Sequence, residues 1–212
     1  FGSFVSMSVM TALGTGFLYL HGAELFLPPA LQKIMGAFLP SMFVFLGVYV
    51  VVLYTAVFPG LNLFLTEEKT LWILQTVPVT ADQVVLGKTS ALLLCFVTAI
   101  PYLAFIPVFV GVERLPFLLW FLVFSFLASV MVAVPFGVKY VGKKSDILLL
   151  YSLSLILFVA LSLVATWVNM LYAARDGHIA LLLGLLLLLV GCGVFLSMKI
   201  STRLLRRSSQ LS

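Results

Sequence analysis

Charged residues are scarce in this chain. Only 9% of its 212 residues are charged, whereas 63% are hydrophobic. A soluble domain carries about 25% charged residues, and no packed core of this length could bury the excess apolar surface. The lack of charge therefore excludes a soluble globular protein and predicts an integral membrane protein.

Cysteine and histidine are equally rare, with two residues of each type. Cys95 and Cys192 fall inside apolar runs without CxxC spacing, and we expect them to be small apolar fillers. His21 and His178 lie near predicted outer loops, far in sequence from any second ligand. This pattern predicts no metal site.

Long apolar runs dominate the sequence instead. A transmembrane β-barrel would show alternating segments of about ten residues, but stretches such as ALLLGLLLLLVGCGVFL are apolar on every side. A helix needs about 20 apolar residues to cross the bilayer, and about six runs reach that length. We therefore predict an all-α membrane protein, a single domain over residues 1–212, with spans at about 2–20, 34–62, 89–111, 116–138, 147–172 and 180–198.

The basic residues predict an orientation for this bundle. If both termini are cytoplasmic, nine of the twelve Lys and Arg residues lie inside with four of the acidic residues, and three of each sign lie outside. This is a strong positive-inside bias. The formal charge of +5 then reflects topology and lipid headgroups, and nucleic acid is not an expected partner.

The first residues lack both an initiator methionine and a basic flank, and the first span begins at once. We therefore expect the N-terminus to be incomplete or the chain to be a piece of a longer polypeptide. A cleaved signal peptide is not indicated, because the charged leader is missing.

The predicted spans contain hydroxyl residues but essentially no ionisable group away from their ends. Ion-coupled carriers place such groups at membrane depth, so a carrier of that kind is disfavoured. The sequence also shows no HExxH, no GxSxG and no paired in-membrane aspartates, so we predict that the chain is not an enzyme. Pro101, Pro107 and Pro135 should kink or unwind their spans and free carbonyls that must find partners.

One long polar segment, TEEKTLWILQTVPVTADQVVLGKT at residues 66–89, interrupts the apolar pattern. At about 3 kcal/mol for each charge near the bilayer centre, its five charges would cost about 15 kcal/mol to bury. The segment should therefore lie outside the membrane, on the cytoplasmic side. Residues 87–89 imitate the end of a phosphate-binding P-loop, but Asp82 stands where that motif needs glycine, so we expect no nucleotide site here.

A helix should begin near the end of this segment. Thr80 and Gln83 form a capping box, T-x-x-Q, and Val79 and Val84 are spaced for a hydrophobic staple. The pattern predicts a helix that starts at about Ala81 below the membrane and continues into the third span.

A shorter helix should precede it. Thr66 can cap its start, Glu67 and Glu68 suit the positive end of the helix dipole, and Pro78 separates it from the next helix. Residues 71–74, LWIL, point around the whole helix axis. The short helix is therefore expected to be gripped on more than one side, or to lie at the headgroup boundary as an interfacial helix.

The order of second span, polar segment and third span resembles the membrane subunit of ABC exporters, a permease family with six spans per protomer. In that family a glutamate-led helix, a proline turn and a GK pair opening the third span form the loop that touches the ATPase. The matching positions are Glu67, Glu68, Leu71, Trp72, Leu74, Pro78, Val79, Gly87 and Lys88.

The resemblance implies a mechanism. An ATP-binding cassette ATPase on another chain would dock on the coupling segment, residues 63–88, and ATP and Mg²⁺ would bind to that partner, with no cofactor on this chain. Two permease protomers would form the translocation path between them in the plasma membrane, surrounded by lipid.

The chain departs from the family in two places. The amphipathic helix that usually precedes the first span is absent. The connection AARDGHIA is too short for the re-entrant helices of the eukaryotic lipid and drug exporters, which points to a prokaryotic-type permease. A haem-exporter permease is a narrower alternative. The alternative from another class is a non-transport membrane assembly or scaffold protein that docks a different cytoplasmic partner.

Overall fold

The computed structural model describes residues 2–26, 28, 39–65, 80–139 and 179–209, together with 156, 160 and 164. Within these ranges all regular structure is helical, and none of it is strand. Five helical stretches there are long and apolar enough to cross a membrane: Gly2–Gly22, Leu39–Gly60, Ala81–Val110, Val112–Lys139 and Leu181–Arg206. The prediction of an all-α bundle of membrane-length helices is confirmed to this extent.

The predicted fifth span, residues 147–172, lies outside the described residues, apart from three isolated helical positions. The described helices are numbered in chain order: α1 (Gly2–Phe26), α2 (Leu39–Val52), α3 (Phe58–Leu65), α4 (Ala81–Leu94), α5 (Ile100–Phe105), α6 (Pro107–Val110), α7 (Leu115–Lys139) and α8 (Ile179–Ser209). A π-helical segment, Leu53–Val57, joins α2 to α3, and a 3-10 segment, Cys95–Ala99, joins α4 to α5. A second 3-10 segment, Val112–Arg114, precedes α7.

Contacts between α7 and α8 fix how the helices run. The indole Nε1 of Trp120 donates to the carbonyl of Leu183 at 3.1 Å, and the hydroxyl of Ser197 donates to the carbonyl of Met131 at 2.7 Å. Residue numbers increase in the same direction on both helices, so α7 and α8 are parallel. The sequence prediction of one further span between these two helices requires that they run in the same direction.

The bundle therefore has two ends. At the α4 end, α4 begins and α3, α7 and α8 finish, because Lys88 contacts Leu63 and Asp82 contacts Arg206. At the α6 end, α6 finishes and α2, α7 and α8 begin. These two names are used below.

α7 is the central helix of the described bundle. In its most apolar stretch 72% of the residues are buried, compared with 17% for Leu181–Arg206 in α8. The ring of Phe45 in α2 meets the edges of Phe117 and Phe121 of α7 at centroid distances of 6.2 and 5.2 Å. α8 therefore covers one side of α7 and leaves a leucine-rich face outward, as expected of a helix bordering lipid.

Pro135 lies inside α7, and the helix continues through it without a break. A proline cannot donate to the carbonyl four residues before it, which here is the carbonyl of Met131. Ser197 of α8 donates to that carbonyl. Gly193 lies directly against the Met131 side chain, where a Cβ atom would collide with the sulfur. The helix does not unwind at Pro135, whereas the carbonyl freed by Pro135 finds its partner on the neighbouring helix, as predicted.

Prolines also explain the irregular segments in the second and third spans. Pro101 has no N–H to donate to the carbonyl of Val97. This carbonyl accepts instead from the N–H of Ile100, the residue that follows the 3-10 segment. Pro107 follows a break in the α-helix at Ile106. The predicted unwinding at Pro101 and Pro107 is therefore confirmed. In the second span the π-helical segment ends two residues before Pro59, a position for which no irregularity was predicted.

A hydrogen-bonded junction joins three spans on the α6 side of these irregular segments. The Tyr102 hydroxyl is fully buried and donates to the carbonyl of Val44 at 3.2 Å, and it is also hydrogen-bonded to the side chain of Thr15. Gly47 makes this junction possible, because a Cβ atom there would collide with both hydroxyls. α1, α2 and α5 are thus fixed against one another by polar groups inside an apolar core.

The bond from Ser197 to Met131 predicts how much Ser197→Ala lowers the stability of the protein with and without Pro135. Ser197→Ala should lower the free energy of unfolding by about 1 kcal/mol, because the Met131 carbonyl loses its donor. Pro135→Ala supplies a backbone N–H to the same carbonyl, so Ser197→Ala should cost almost nothing in that background. Unfolding in mixed micelles would measure both values.

Ser201→Ala is the matched control, since the buried Ser201 hydroxyl donates within its own helix, to the carbonyl of Ser197, at 2.8 Å. An equal cost of Ser197→Ala with and without Pro135 would contradict the explanation.

Candidate functional site

The coupling segment predicted at residues 63–88 is described only at its two ends. Residues 63–65 finish α3, and residues 80–88 form the start of α4 with its cap. Thr80, Gln83, Gly87 and Lys88 therefore have a described structure. The other predicted contact residues lie outside the described part of the chain: Glu67, Glu68, Leu71, Trp72, Leu74, Pro78 and Val79.

The predicted capping box at the start of α4 is present. Thr80 has an extended backbone, with φ −75° and ψ 150°, and α4 begins at Ala81. The backbone N–H of Gln83 donates to the Thr80 hydroxyl at 3.4 Å, and the backbone N–H of Thr80 donates to Gln83 Oε1 at 3.0 Å. Two backbone donors at the helix start are thereby satisfied. The start of α4 is defined by its own sequence, which is why it could be predicted.

Lys88 has a role that the sequence did not predict. Its Nζ donates to the carbonyl of Leu63 at 2.7 Å, and this carbonyl belongs to the last turn of α3. Lys88 therefore links α4 to α3 and holds together residues at the two ends of the coupling segment.

An ion pair joins the start of α4 to the end of α8. The carboxylate of Asp82 contacts the guanidinium of Arg206, and both side chains are about 60% exposed. Asp82 lies in the first turn of α4 and Arg206 near the end of α8, so each charge also suits the dipole of its own helix. Because the pair is exposed to solvent, it holds α4 to α8 only weakly.

The outer face of α4 is open. Gln83, Leu86 and Gly87 are exposed, with Leu86 at 55%. A Cβ atom on Gly87 would meet no heavy atom within 4 Å. Val85, Thr89 and Leu92 form the buried face on the opposite side of the helix. The arrangement leaves a mixed polar and apolar surface at the α4 end, beside the fixed ends of the polar segment.

The charged residues of this site have structural partners. Within the described ranges, no group of three His, Cys, Asp or Glu residues is placed to hold a metal ion. The charged groups present cap helices or pair with each other. What the arrangement can do is transmit a displacement of the polar segment directly to two spans, because Lys88 and the capping box leave little slack at its ends.

The bond from Lys88 to Leu63 predicts a local change in backbone protection. Lys88→Met should speed amide exchange in the last turn of α3 by about tenfold, the factor that corresponds to losing about 1.4 kcal/mol of local stability. Lys88→Arg should retain most of the protection, because a guanidinium can also donate to the carbonyl. Hydrogen exchange followed by mass spectrometry on peptides covering α3 would measure the change.

Lys199→Met is the matched control, since it removes the same charge from an exposed position on α8. If Lys88→Met and Lys199→Met gave the same amide exchange in α3, the inference that Lys88 stabilises α3 would be wrong.

Comparisons with models of protein families, with curated proteins and with solved structures gave no match for this chain.

Proposed function

We propose that this chain is the permease subunit of an ATP-driven exporter of the prokaryotic six-span type, and that a separate ATP-binding cassette ATPase docks on residues 63–88. The single observation that best supports the proposal is how the polar segment is attached to the bundle. Lys88 holds its start and end together, and the capping box makes α4 helical from Ala81 onward. A partner bound to such a segment would act on two spans at once.

The source of energy is the second argument. The described spans keep their charged side chains near the helix ends, and their buried polar groups are hydroxyls, such as those of Thr55, Thr98 and Ser129. A hydroxyl does not take up and release protons near neutral pH, and proton relays in carriers use carboxylates and histidines instead. Because Asp82 also replaces the glycine of a P-loop, the energy would come from ATP bound to the partner chain.

Orientation and assembly complete the proposal. The described basic residues Lys139, Lys199, Arg203 and Arg206 lie at or near the α4 end. This favours a cytoplasmic α4 end, with both termini on that side of the plasma membrane. Two protomers, as a homodimer or with a paralogue, would enclose the translocation path. The export direction is taken from the family resemblance.

The ATPase partner can be tested by affinity purification of the chain from its own membranes in mild detergent. An ATP-binding cassette subunit should copurify. This chain should stimulate ATP hydrolysis by that subunit. Glu68→Arg or Pro78→Ala should lower the stimulation by about tenfold, which corresponds to losing about 1.4 kcal/mol of docking energy. The spans should stay folded, because the changes lie in the polar segment.

Glu24→Arg is the matched control, because it makes the same charge reversal at an exposed position near the α6 end. Recovery of a partner without an ATP-binding site would favour the scaffold function instead. Transport driven by a proton gradient in ATP-free vesicles would favour an ion-coupled carrier.

A further inference from the structure

We infer that α3 and α4 form one lever, which turns about a hinge made of the π-helical segment Leu53–Val57 and the 3-10 segment Cys95–Ala99. The hinge is a property of this chain and needs no partner. Its use in coupling ATP hydrolysis to transport rests on the proposed function.

The two irregular segments contact each other inside the bundle. In the second span, the N–H of Phe58 donates to the carbonyl of Leu53, five residues back. In the third span, the N–H of Ile100 donates to the carbonyl of Val97, three residues back. Both spans therefore depart from α-helical hydrogen bonding where they touch. Bends in helices occur at such π and 3-10 turns and at prolines.

On the α4 side of these segments, α3 and α4 are joined to each other. Lys88 donates to the carbonyl of Leu63 across the pair. Gly60 lies against Leu92, and a Cβ atom at Gly60 would be 3.1 Å from the Leu92 side chain. The contact of Gly60 with the Leu92 side chain and the hydrogen bond from Lys88 thus join α3 to α4.

Between the two irregular segments and the α6 end, a second unit is formed by α1, α2 and α5. Tyr102 donates to the carbonyl of Val44 and is hydrogen-bonded to Thr15. The Ser8 hydroxyl donates to the carbonyl of Thr98 at 2.7 Å, which ties α1 to the end of the 3-10 segment. Along the second and third spans, the two units are joined by irregular backbone.

The lever borders α7 and α8. α7 is unbroken, and it approaches α3 closely at Gly60, where a Cβ atom would be 2.9 Å from the Cβ of Ala133. The exposed ion pair between Asp82 and Arg206 then acts as a latch that holds the start of α4 against α8. Such pairs are weak enough to open and close.

The expected displacement is measurable. α4 has 14 residues, which makes it about 21 Å long, and a bend of about 20° at its base would move its start by about 7 Å. Leu86 lies closer to the hinge and would move by about 4 Å.

The test uses spin labels on the purified full chain in lipid nanodiscs without an ATPase, in a Cys95→Ala and Cys192→Ala background. Labels at Leu86→Cys in α4 and Met10→Cys in α1 report the lever, since both positions are exposed. Labels at Met10→Cys in α1 and Val108→Cys in α6, which packs against α1, serve as the reference pair. Double electron–electron resonance gives the distance distribution of each pair.

Asp82→Asn should open the latch and widen or shift the lever distribution by about 4 Å, the displacement given by the bend. The reference pair should not change. In a Pro101→Ala background, the third span regains the N–H that an α-helix needs, so Asp82→Asn should no longer widen the distribution. Pro107→Ala is the matched control, since it removes the other proline of the same span and should leave the widening intact.

Two results would overturn the hinge: no widening with Asp82→Asn, or equal widening in the Pro101→Ala and Pro107→Ala backgrounds. Pro59→Ala repeats the test from the second span if Pro101→Ala does not fold. The outcome does not depend on an ATPase, so loss of the hinge and failure to recover an ATPase partner are separate results.

Discussion

Inside hydrocarbon, every backbone carbonyl without a helical donor must find a partner within the protein, because no water is present to supply one. This constraint shapes the described bundle wherever a proline enters a span. At Pro135 the partner is a hydroxyl from another helix, Ser197. At Pro101 the backbone itself changes to a 3-10 turn. The first solution ties two helices together, whereas the second leaves a helix that can bend.

The same constraint explains why a chain so poor in charge contains many serines and threonines in its spans. A hydroxyl can donate a hydrogen bond to a carbonyl of its own helix, as Thr55 does to Val51 at 2.8 Å. It can also donate to a neighbouring helix, as Ser8 does to the carbonyl of Thr98. Bonds of the second kind hold helices in a fixed relative position without a buried charge. The described core is thus assembled from apolar packing and neutral hydrogen bonds.

The features that could be predicted are those that neighbouring residues determine. The capping box needs only Thr80 and Gln83, and a helix begins at Ala81 as expected. Membrane-length helices follow from apolar runs, and unwinding follows from Pro101. α8 nevertheless runs to Ser209, beyond the predicted end at 198, and Ser201, Thr202 and Leu205 of this extension are buried within the bundle.

The contacts that were not predicted join residues far apart in sequence. Lys88 and Leu63 are 25 residues apart, Ser197 and Met131 are 66 apart, and Arg206 and Asp82 are 124 apart. Periodicity and caps carry no information about such pairs, since they depend on which helices become neighbours. Lys88 and Asp82 could be placed near the membrane surface from sequence, but their partners required the packed bundle.

The position of these contacts matters more than their strength. Lys88 bonds to α3 at a half-buried site, whereas Asp82 meets Arg206 in the open, where water competes for both charges. A lever requires this difference, because its own parts must stay together while its attachment to the rest of the bundle is released. The more sheltered bond lies within the unit of α3 and α4, and the exposed pair lies at its boundary with α8. A force applied to the polar segment would therefore break the pair of Asp82 and Arg206 before the bond from Lys88 to Leu63.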